Sequence, residues 1–123
     1  MKTSPQTDWT AGPFDHERLD AYQVAKEALR RGEAIAARLP RGYGNLADQM
    51  RRSLLSSLTV TAEGAARVGA DRKNRFRIAK GEAGEAAACI EATAMLGLVD
   101  EREASEVRHL LARQCAMLGG LAR

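Results

Sequence analysis

Apolar and small residues recur along the chain at steps of three and four, the spacing of a single buried helix face. The clearest run contains Met50, Leu54, Leu58, Thr61 and Ala65, flanked by the small residues Ser53, Ser57 and Gly64. A later segment offers a second set of small residues, namely Gly81, Ala83, Gly84, Ala86 and Ala87. Small residues on two helices allow their backbones to approach closely, so the pattern predicts tight helix–helix packing.

Helix breakers and capping residues divide this pattern into four helices. The first is predicted to open at Phe14 or Asp15 and to run to about Leu39, ahead of Pro40 and the turn at 42–44. The second is expected from a cap at Asn45 to about Arg67, with Gly69 as its break. The third is expected from a cap at Asp71 to a stop at Gly97, and Asp100 with Glu103 resembles a capping box for the fourth.

Each helix then has a set of residues expected to face the core. The first helix contributes Leu19, Tyr22, Val24 or Ala25, Leu29, Ile35 and Leu39. The third contributes Phe76, Ala79, Ala83, Ile90 and Ala94, and the fourth Val107, Leu111, Gln114 or Cys115, Leu118 and Leu121. Because the connections are short, neighbouring helices must run antiparallel. The predicted fold class is therefore all-α, an antiparallel up-down-up-down four-helix bundle over residues 14–123, preceded by a flexible tail over residues 1–13.

The amino-acid composition supports this architecture and bears on the expected location of the protein. The 123 residues suffice for one domain, and 4% aromatic residues with three prolines argue for helices throughout. No apolar run is long enough to cross a membrane, and the N-terminus lacks the apolar stretch of a signal peptide, so no membrane association and a cytoplasmic location are expected. Cys89 and Cys115 have no metal-binding spacing and are expected to be free thiols.

Charge is distributed unevenly along the chain. Residues 1–29 carry a net charge of −2, residues 30–80 carry +8 and residues 81–123 carry −3, which gives +3 overall. Asp71 is the only acidic residue between positions 67 and 80. Guanidinium groups suit phosphate binding, so a nucleic-acid interface at the turn between the second and third helices and an ordinary solvated face are equally compatible with this block. The candidate nucleic-acid-binding residues are Arg51, Arg52, Arg67, Arg72, Lys73, Arg75, Arg77 and Lys80.

No aromatic residue interleaves with these cations, so stacking of single-stranded bases is not expected. The hydroxyl cluster of Ser53, Ser56, Ser57, Thr59 and Thr61 has no nucleophile elbow and no histidine on its own helix. His16 and His109 do not belong to the paired Glu-x-x-His motifs of a bundle metal site. No catalytic residue, metal site or cofactor is therefore predicted, and the protein is not expected to be an enzyme. Glu63 and Glu85 are interpreted as structural carboxylates paired with Arg51, Arg52 or Arg77 across the bundle.

Several of these residues resemble the signature of a bacterial four-helix-bundle family whose founding members are encoded within intervening sequences of 23S ribosomal RNA genes. In the second helix the matching positions are Gln49, Met50, Arg51, Arg52, Ser56, Ala62, Glu63 and Gly64. In the third they are Phe76, Ile78, Ala79, Gly81 and Glu85. Phe14, Leu19, Tyr22 and Ala25 in the first helix, and Leu39, Pro40, Tyr43 and Gly44 after it, also fit. The chain departs from the family pattern at Leu58 and Val60, which stand where the family usually has Pro and Asn, and at Glu82–Ala83, which replaces Ser-Leu.

The resemblance implies the bundle fold and an assembly of identical subunits, with a ring of five as the first expectation. Such a ring would bring five copies of the basic block into one positive field. A more distant branch of the family is similar to the accessory variability determinant of diversity-generating retroelements, whose members dock a reverse transcriptase. Two functions follow as expectations: a non-catalytic, homo-oligomeric protein that binds RNA or DNA, RNA being preferred, or an oligomeric scaffold that docks a partner protein such as a reverse transcriptase.

Overall fold

The computed structural model describes residues 12–123, in which a 3-10 helix and four α-helices follow one another. The 3-10 helix spans Asp15–Arg18, and the α-helices are α1 (Asp20–Ala36), α2 (Gly44–Ala65), α3 (Gly69–Met95) and α4 (Glu101–Leu121). Each α-helix packs against its neighbours in the chain, and α1 also packs against α4, so the four close into an antiparallel bundle. The predicted fold class is confirmed. The predicted flexible tail, residues 1–13, lies almost entirely outside the described residues.

The core is divided into two apolar clusters along the bundle axis. The larger cluster includes Met50, Leu54, Ile90, Val107 and Leu111. The smaller one contains Phe76, Ala21, Ala79, Leu118 and Ala122. Both clusters rely heavily on alanine, so the helices approach closely and leave little room for large side chains. None of the helices in residues 12–123 is long and apolar enough to cross a membrane.

Polar residues lie between the two clusters. The Ser57 hydroxyl donates to the carbonyl oxygen of Leu54 at 3.1 Å, and the Thr61 hydroxyl donates to that of Ser57 at 2.6 Å. Gln114 lies between Leu111 and Leu118 on α4 and is fully buried, yet neither atom of its amide has a hydrogen-bond partner among the described residues. A buried amide without partners opposes folding by about 1–3 kcal/mol.

The helix faces that were predicted to form the core are largely buried, but at several positions a neighbouring residue faces inward instead of the predicted one. On α2, Ser57 is buried where Leu58 was expected, and on α4 Gln114 rather than Cys115 faces inward. On α1 the inward residues are smaller than predicted: Ala21, Ala28 and Gly32 join Val24, Ala25 and Ile35. The larger Leu19, Tyr22, Leu29 and Leu39 are only half-buried, because they flank the narrow seam that the alanines form, and Ala94 and Leu121 are also half-buried.

The sequence suggested that all of these small residues allow close helix packing, but only some of them do. Gly64 makes room for a ring, since a Cβ atom at this position would lie 2.7 Å from Cε1 of Phe76. Ala83 and Ala86 are fully buried on α3. Gly81 and Gly84, however, are not buried, and a Cβ atom at either position would have no atom within 4 Å. The expectation that these two glycines pack inside the bundle is wrong, because they lie on the outer face of α3.

The predicted start and end of the first helix also need correction. The chain forms a 3-10 turn at Asp15–Arg18, and Leu19 has extended backbone angles before α1 begins at Asp20. This break separates Phe14 from the helix that was expected to include it. At the other end α1 stops at Ala36, ahead of the predicted Leu39, and the positive φ of Gly42 (99°) turns the chain toward α2.

None of the predicted N-terminal caps forms its side-chain hydrogen bond. Asn45 and Asp71 lie inside their helices, whose cap positions are Tyr43 and Val68. Asp100 occupies the predicted cap of α4 without making the hydrogen bond, and the Glu103 carboxylate binds Arg38 instead of closing the capping box. Two of the carboxylates that were expected to cap, those of Asp71 and Glu103, bind arginines instead.

The predicted stop of α3 is correct. Gly97 has a φ of 73°, its N–H donates to the carbonyl oxygen of Ala94, and the N–H of Leu98 donates to that of Thr93, both at 3.0 Å. This pair of hydrogen bonds is the Schellman arrangement that a glycine at this position favours.

Candidate nucleic-acid interface

The end of α2 and the start of α3 bring six of the eight candidate cations to one region of the bundle. Gly69, with a φ of 61°, allows the chain to reverse between these two antiparallel helices. Arg67 precedes this turn, and Arg72, Lys73, Arg75, Arg77 and Lys80 follow it along α3. Arg51 and Arg52 lie much earlier on α2. Because Arg52 is fifteen positions from Arg67, the two are separated by about 22 Å along the helix axis, and the structure does not bring them into one site.

Three of the eight arginines and lysines are neutralised by carboxylates. Arg51 makes two hydrogen bonds of 2.8 Å to Glu33 across the α1–α2 interface. Arg67 binds Asp71 at 2.9 Å, and Arg75 binds Glu63 at 3.3 Å. Ion pairs as exposed as these contribute little to stability, but each one reduces the charge that the arginine presents to a phosphate.

The pKa values of the acidic partners follow from these contacts. The hydrogen bonds from Arg51 lower the pKa of Glu33 below its ordinary value. The hydrogen bond from Arg67, together with the charges of Arg67 and Arg75, likewise lowers the pKa of Asp71. Both carboxylates therefore stay ionised and keep their arginines engaged at neutral pH.

Two further arginines hold helix ends. Arg72 donates to the carbonyl oxygen of Ala65 at 3.3 Å, and its guanidinium lies 4.9 Å from the centre of the Phe76 ring. Arg77 donates to the carbonyl oxygen of Ala122 at 3.1 Å. These carbonyls lie at the ends of α2 and α4, where no partner exists within the helix. The two guanidinium groups thus have structural roles that the sequence did not reveal.

The remaining candidates in the turn region are Lys73 and Lys80, which form no ion pair among residues 12–123. Lys73, Arg77 and Lys80 occupy positions i, i+4 and i+7 of α3, so they share one face of the helix. The Cβ atoms of successive members of this set are about 5–6 Å apart. The Lys80 side chain reaches toward α4, and its Nζ lies 3.3 Å from where a Cβ on Gly119 would stand. We call Lys73, Arg77 and Lys80 the basic row. Arg52, far along α2, is also exposed.

The two carboxylates singled out in the sequence behave differently from each other. Glu63 is in an ion pair, as expected, but its partner is Arg75 rather than any of the three arginines that were predicted. Glu85 is exposed and has no ion pair among the described residues.

Sequence reasoning missed an aromatic cluster beside the 3-10 turn. The rings of Phe14 and His16 stack at 5.6 Å between centroids with an interplanar angle of 10°, and His16 meets Tyr22 edge-on at 4.5 Å. The Lys26 Nζ lies 5.9 Å from the centre of the Tyr22 ring. We call Phe14, His16 and Tyr22 the aromatic stack. The sequence pattern places Phe14 and Tyr22 in one continuous helix, and no sequence signal marks the break at Leu19.

A second missed feature is the outer face of α3. Ile78, Gly81, Gly84 and Met95 lie along it, and Met95 is 79% exposed. The opposite face of the same helix, with Phe76, Ala79 and Ile90, is buried. The outer face mixes apolar and small residues with exposed charged ones such as Lys80, Glu85 and Glu91. The glycines of this face are visible in the sequence as part of the second set of small residues. Small residues are equally suited to an inward face, so the sequence does not show that these glycines face outward.

The hydroxyl groups and histidines form no catalytic constellation in the described residues. Ser53, Ser57, Thr59 and Thr61 donate to carbonyl oxygens of their own helix, as small polar residues in helices commonly do. His109 lines a shallow groove between α1 and α4, and His16 belongs to the aromatic stack. Residues 12–123 contain no group of three His, Cys, Asp or Glu side chains placed to hold a metal ion. Cys89 and Cys115 are free thiols, and burial raises the pKa of each.

The fold defines a class of protein: small all-α proteins built as an antiparallel four-helix bundle. Within that class, the family model of the 23S rRNA-intervening sequence proteins matches residues 17–120. The chain therefore belongs to this family, and the resemblance drawn from its residues is confirmed. No curated protein sequence gives a significant match to the chain.

Proposed function

We propose that this protein is a non-catalytic, homo-oligomeric RNA-binding bundle that holds the RNA backbone along the basic row. The observation that carries the proposal is the placement of Lys73, Arg77 and Lys80 on one face of α3, with neither lysine paired to a carboxylate among residues 12–123. The family name refers to an intervening sequence of 23S rRNA, which favours RNA over DNA as the ligand. The proposal narrows the eight candidate residues to three. These are the two lysines without an ion pair among residues 12–123 and Arg77, which lies between them on the same face although it also donates to the carbonyl oxygen of Ala122.

Binding of this kind is directed at phosphates and carries little sequence information. Each contact between a cation and a phosphate releases counterions, so affinity falls steeply with salt, by a slope of about 0.7–0.9 per contact on logarithmic axes. Affinity is therefore expected to depend strongly on salt and weakly on RNA sequence.

The double substitution Lys73→Ala with Lys80→Ala tests the basic row. Binding to a short RNA should weaken, and the salt slope should decrease by about 1.4–1.8, because two phosphate contacts are lost. Arg77 is left in place, since its hydrogen bond to Ala122 would confound the result. Fluorescence anisotropy over a range of salt concentrations measures both quantities.

The matched control is Arg41→Ala with Arg102→Ala, which removes the same charge from the opposite end of the bundle, where both side chains are exposed. This control should keep the salt slope of the wild-type protein. If both double variants lose affinity and slope equally, the row is not the site and the effect is one of net charge. If the wild-type protein binds no RNA even at low salt, RNA binding itself is excluded.

Homo-oligomerisation is supported by the outer face of α3. A glycine at an exposed helix position destabilises the helix by about 0.8–1 kcal/mol relative to alanine. Gly81 and Gly84 both occupy outward positions, and a Cβ on either would meet no atom of the same chain within 4 Å. Contact with a neighbouring subunit over the second half of α3, from Gly81 to Met95, would account for these glycines. Arg77 and Lys80 lie four positions before Gly81 and Gly84 on the same side of the helix, so the basic row borders this contact. We propose that a second copy of the chain packs on this face, in an assembly for which five subunits remain the first expectation.

Substituting Gly84→Lys tests this assembly. Lysine favours helix more than glycine does, so the subunit should remain folded while the long charged side chain blocks the contact. Sedimentation velocity should then show a smaller species than the wild-type oligomer. Gly120→Lys is the matched control, since Gly120 is a helical glycine of α4 with open space around it, and it should leave the assembly intact. A wild-type protein that stays monomeric at high micromolar concentration would contradict the proposal.

One alternative has an observation in its favour. Five of the eight candidate cations are already engaged within the protein, which favours a scaffold that docks a partner protein such as a reverse transcriptase through the outer face of α3. Absence of RNA binding at low salt, together with an intact oligomer, would select this alternative.

A further inference from the structure

Phe14 presents a free aromatic face to the surroundings of the protein. Its side chain is 61% exposed, although it is one of only five Phe, Tyr and Trp residues in the chain. One side of the ring stacks on His16, which in turn contacts Tyr22. Among residues 12–123 no second ring stacks on Phe14, so its other side can receive a further planar group at the end of the stack.

Hydrogen bonds of the 3-10 turn order the backbone at Phe14. The Phe14 N–H donates to Oε1 of Glu17 at 2.9 Å, and the Glu17 N–H donates back to the Phe14 carbonyl oxygen at 3.1 Å. The N–H of Leu19 then donates to the carbonyl oxygen of His16 at 3.0 Å, which closes the turn. These hydrogen bonds fix the Phe14 backbone, and the ring itself is held by its stack on His16. Little conformational freedom is then lost when a ligand stacks on the ring, which favours binding.

The aromatic stack and the basic row lie at the same end of the bundle. In the antiparallel arrangement, the start of α1, the end of α2, the start of α3 and the end of α4 are all found there, and the 3-10 turn packs against α2 as well as α1. Neighbouring helix axes in such bundles are about 8–10 Å apart, so the diagonal from α1 to α3 is roughly 11–14 Å. A short single strand can cover this distance.

A shallow groove lies between the 3-10 turn and the end of α4, next to residues that the basic row approaches. Arg18 belongs to the same 3-10 turn as His16 and lines a groove between α1 and α4 that ends at Gly120 and Leu121. The adjacent Gly119 and Ala122 are the residues that Lys80 and Arg77 of the basic row approach. The exposed carboxylates of Asp15 and Asp20 beside the stack disfavour phosphates at the stack itself, so a base rather than a phosphate fits there.

We infer that the aromatic stack receives an unpaired base of the RNA, stacked on Phe14, while the phosphates of the same strand run to the basic row. This inference rests on the proposed RNA binding and adds the kind of RNA: a single strand, loop or bulge, because the bases of a continuous duplex are already stacked on one another. It also replaces the expectation, drawn from the sequence, that base stacking would play no part. Stacking tolerates any base, so it agrees with weak dependence on RNA sequence.

The test compares an unpaired oligoribonucleotide carrying 2-aminopurine at its centre with a hairpin in which the same position is paired. Wild-type protein should bind the single strand more tightly and should change the 2-aminopurine fluorescence. Phe14→Leu keeps an apolar side chain but removes the ring, and should weaken single-strand binding about 5- to 150-fold without altering the salt slope or the hairpin affinity. Phe14→Trp should restore binding.

Val68→Ala is the matched control, because Val68 is an apolar residue 83% exposed at the same end of the bundle and has no ring. It should leave binding to both RNAs unchanged. The double variant Lys73→Ala with Lys80→Ala should bind both the single strand and the hairpin more weakly. Circular dichroism checks that every variant keeps its helix content.

Each way in which the experiment can fail points to a different error. Equal affinity for the two RNAs, with Phe14→Leu binding like wild type, overturns the stacking inference and leaves phosphate binding by the basic row in place. Equal loss of affinity in Phe14→Leu and Val68→Ala overturns it as well, since a ring-specific contact would then be absent. Failure of the wild-type protein to bind either RNA overturns both this inference and the proposed function.

Discussion

Truncation of Phe76 to Ala is expected to lower the free energy of unfolding by about 3–5 kcal/mol. The Phe76 ring is 0% exposed and is the largest side chain of the smaller core cluster, where three of its four buried partners are alanines. Alanine side chains cannot rotate to fill the space that the ring leaves, so most of the cavity should persist. Urea unfolding measures the loss, and the protein concentration is kept fixed because the stability of the proposed oligomer would depend on it.

Phe14→Ala is the matched control for this prediction. It removes the same ring from a site that is largely exposed, and its effect on stability should stay within about 0.5 kcal/mol. A loss of similar size in the two variants would show that Phe76 is not buried in solution as it is in the structure. The pair also separates two roles of phenylalanine in this chain, since Phe76 stabilises the bundle and Phe14 is proposed to bind RNA.

The number of helices and several of their ends could be predicted because they depend on local chemistry. The stop of α3 is an example: Gly97 takes a positive φ that other residues rarely adopt, and the Schellman hydrogen bonds follow from it. Pro40 and Gly42 similarly exclude a continuous helix between α1 and α2. In each case the residues that decide the conformation are neighbours in the sequence.

The starts of the helices were harder to predict because several residues compete for the same role. Asp15 and Asp20 can each open the first helix, and the chain uses one for a 3-10 turn and the other for α1. Asp71 could cap α3, but its carboxylate binds Arg67. A carboxylate can accept a hydrogen bond either from a backbone N–H or from a neighbouring guanidinium, and the local sequence does not show which of the two forms.

The inward face of α3 was predicted correctly from periodicity: Phe76, Ala79, Ala83 and Ile90 are all 0% exposed. The error concerned the glycines, which were grouped with the buried alanines because of their size. The Phe76 ring fits over Gly64 on α2. With Phe76 inward, Gly81 and Gly84 lie on the outer side of the same helix; they were misplaced because their small size suggested close packing.

The basic turn was predicted in position but not in detail. It is visible because its cations are close in sequence. Which of the candidate cations remain free depends on partners far along the chain: Arg51 meets Glu33 across 18 positions, and Arg77 meets Ala122 across 45. Such pairs depend on the register of neighbouring helices, which composition and spacing do not contain.

Gln114→Leu is expected to raise the free energy of unfolding by about 1–3 kcal/mol, opposite in sign to most core substitutions. Gln114 is 0% exposed and lies between two leucines on the same face of α4, and its amide nitrogen and oxygen have no partner among the described residues. Leucine has a similar volume, so it should fill the site while removing the cost of the buried amide and joining the two apolar clusters of the core.

Gln49→Leu provides the control, because Gln49 is exposed on α2 and its replacement should change stability by less than about 0.5 kcal/mol. Urea unfolding compares both variants with wild type. A loss of stability in Gln114→Leu would mean that the amide is hydrogen-bonded in solution, with a buried water between Gln114 and the hydroxyls of α2 as the physical explanation. If stability rises but the amide NMR spectrum broadens, the polar residues between the clusters instead fix the register of the helices, because a continuous apolar core would allow the alanine-rich faces to slide past one another.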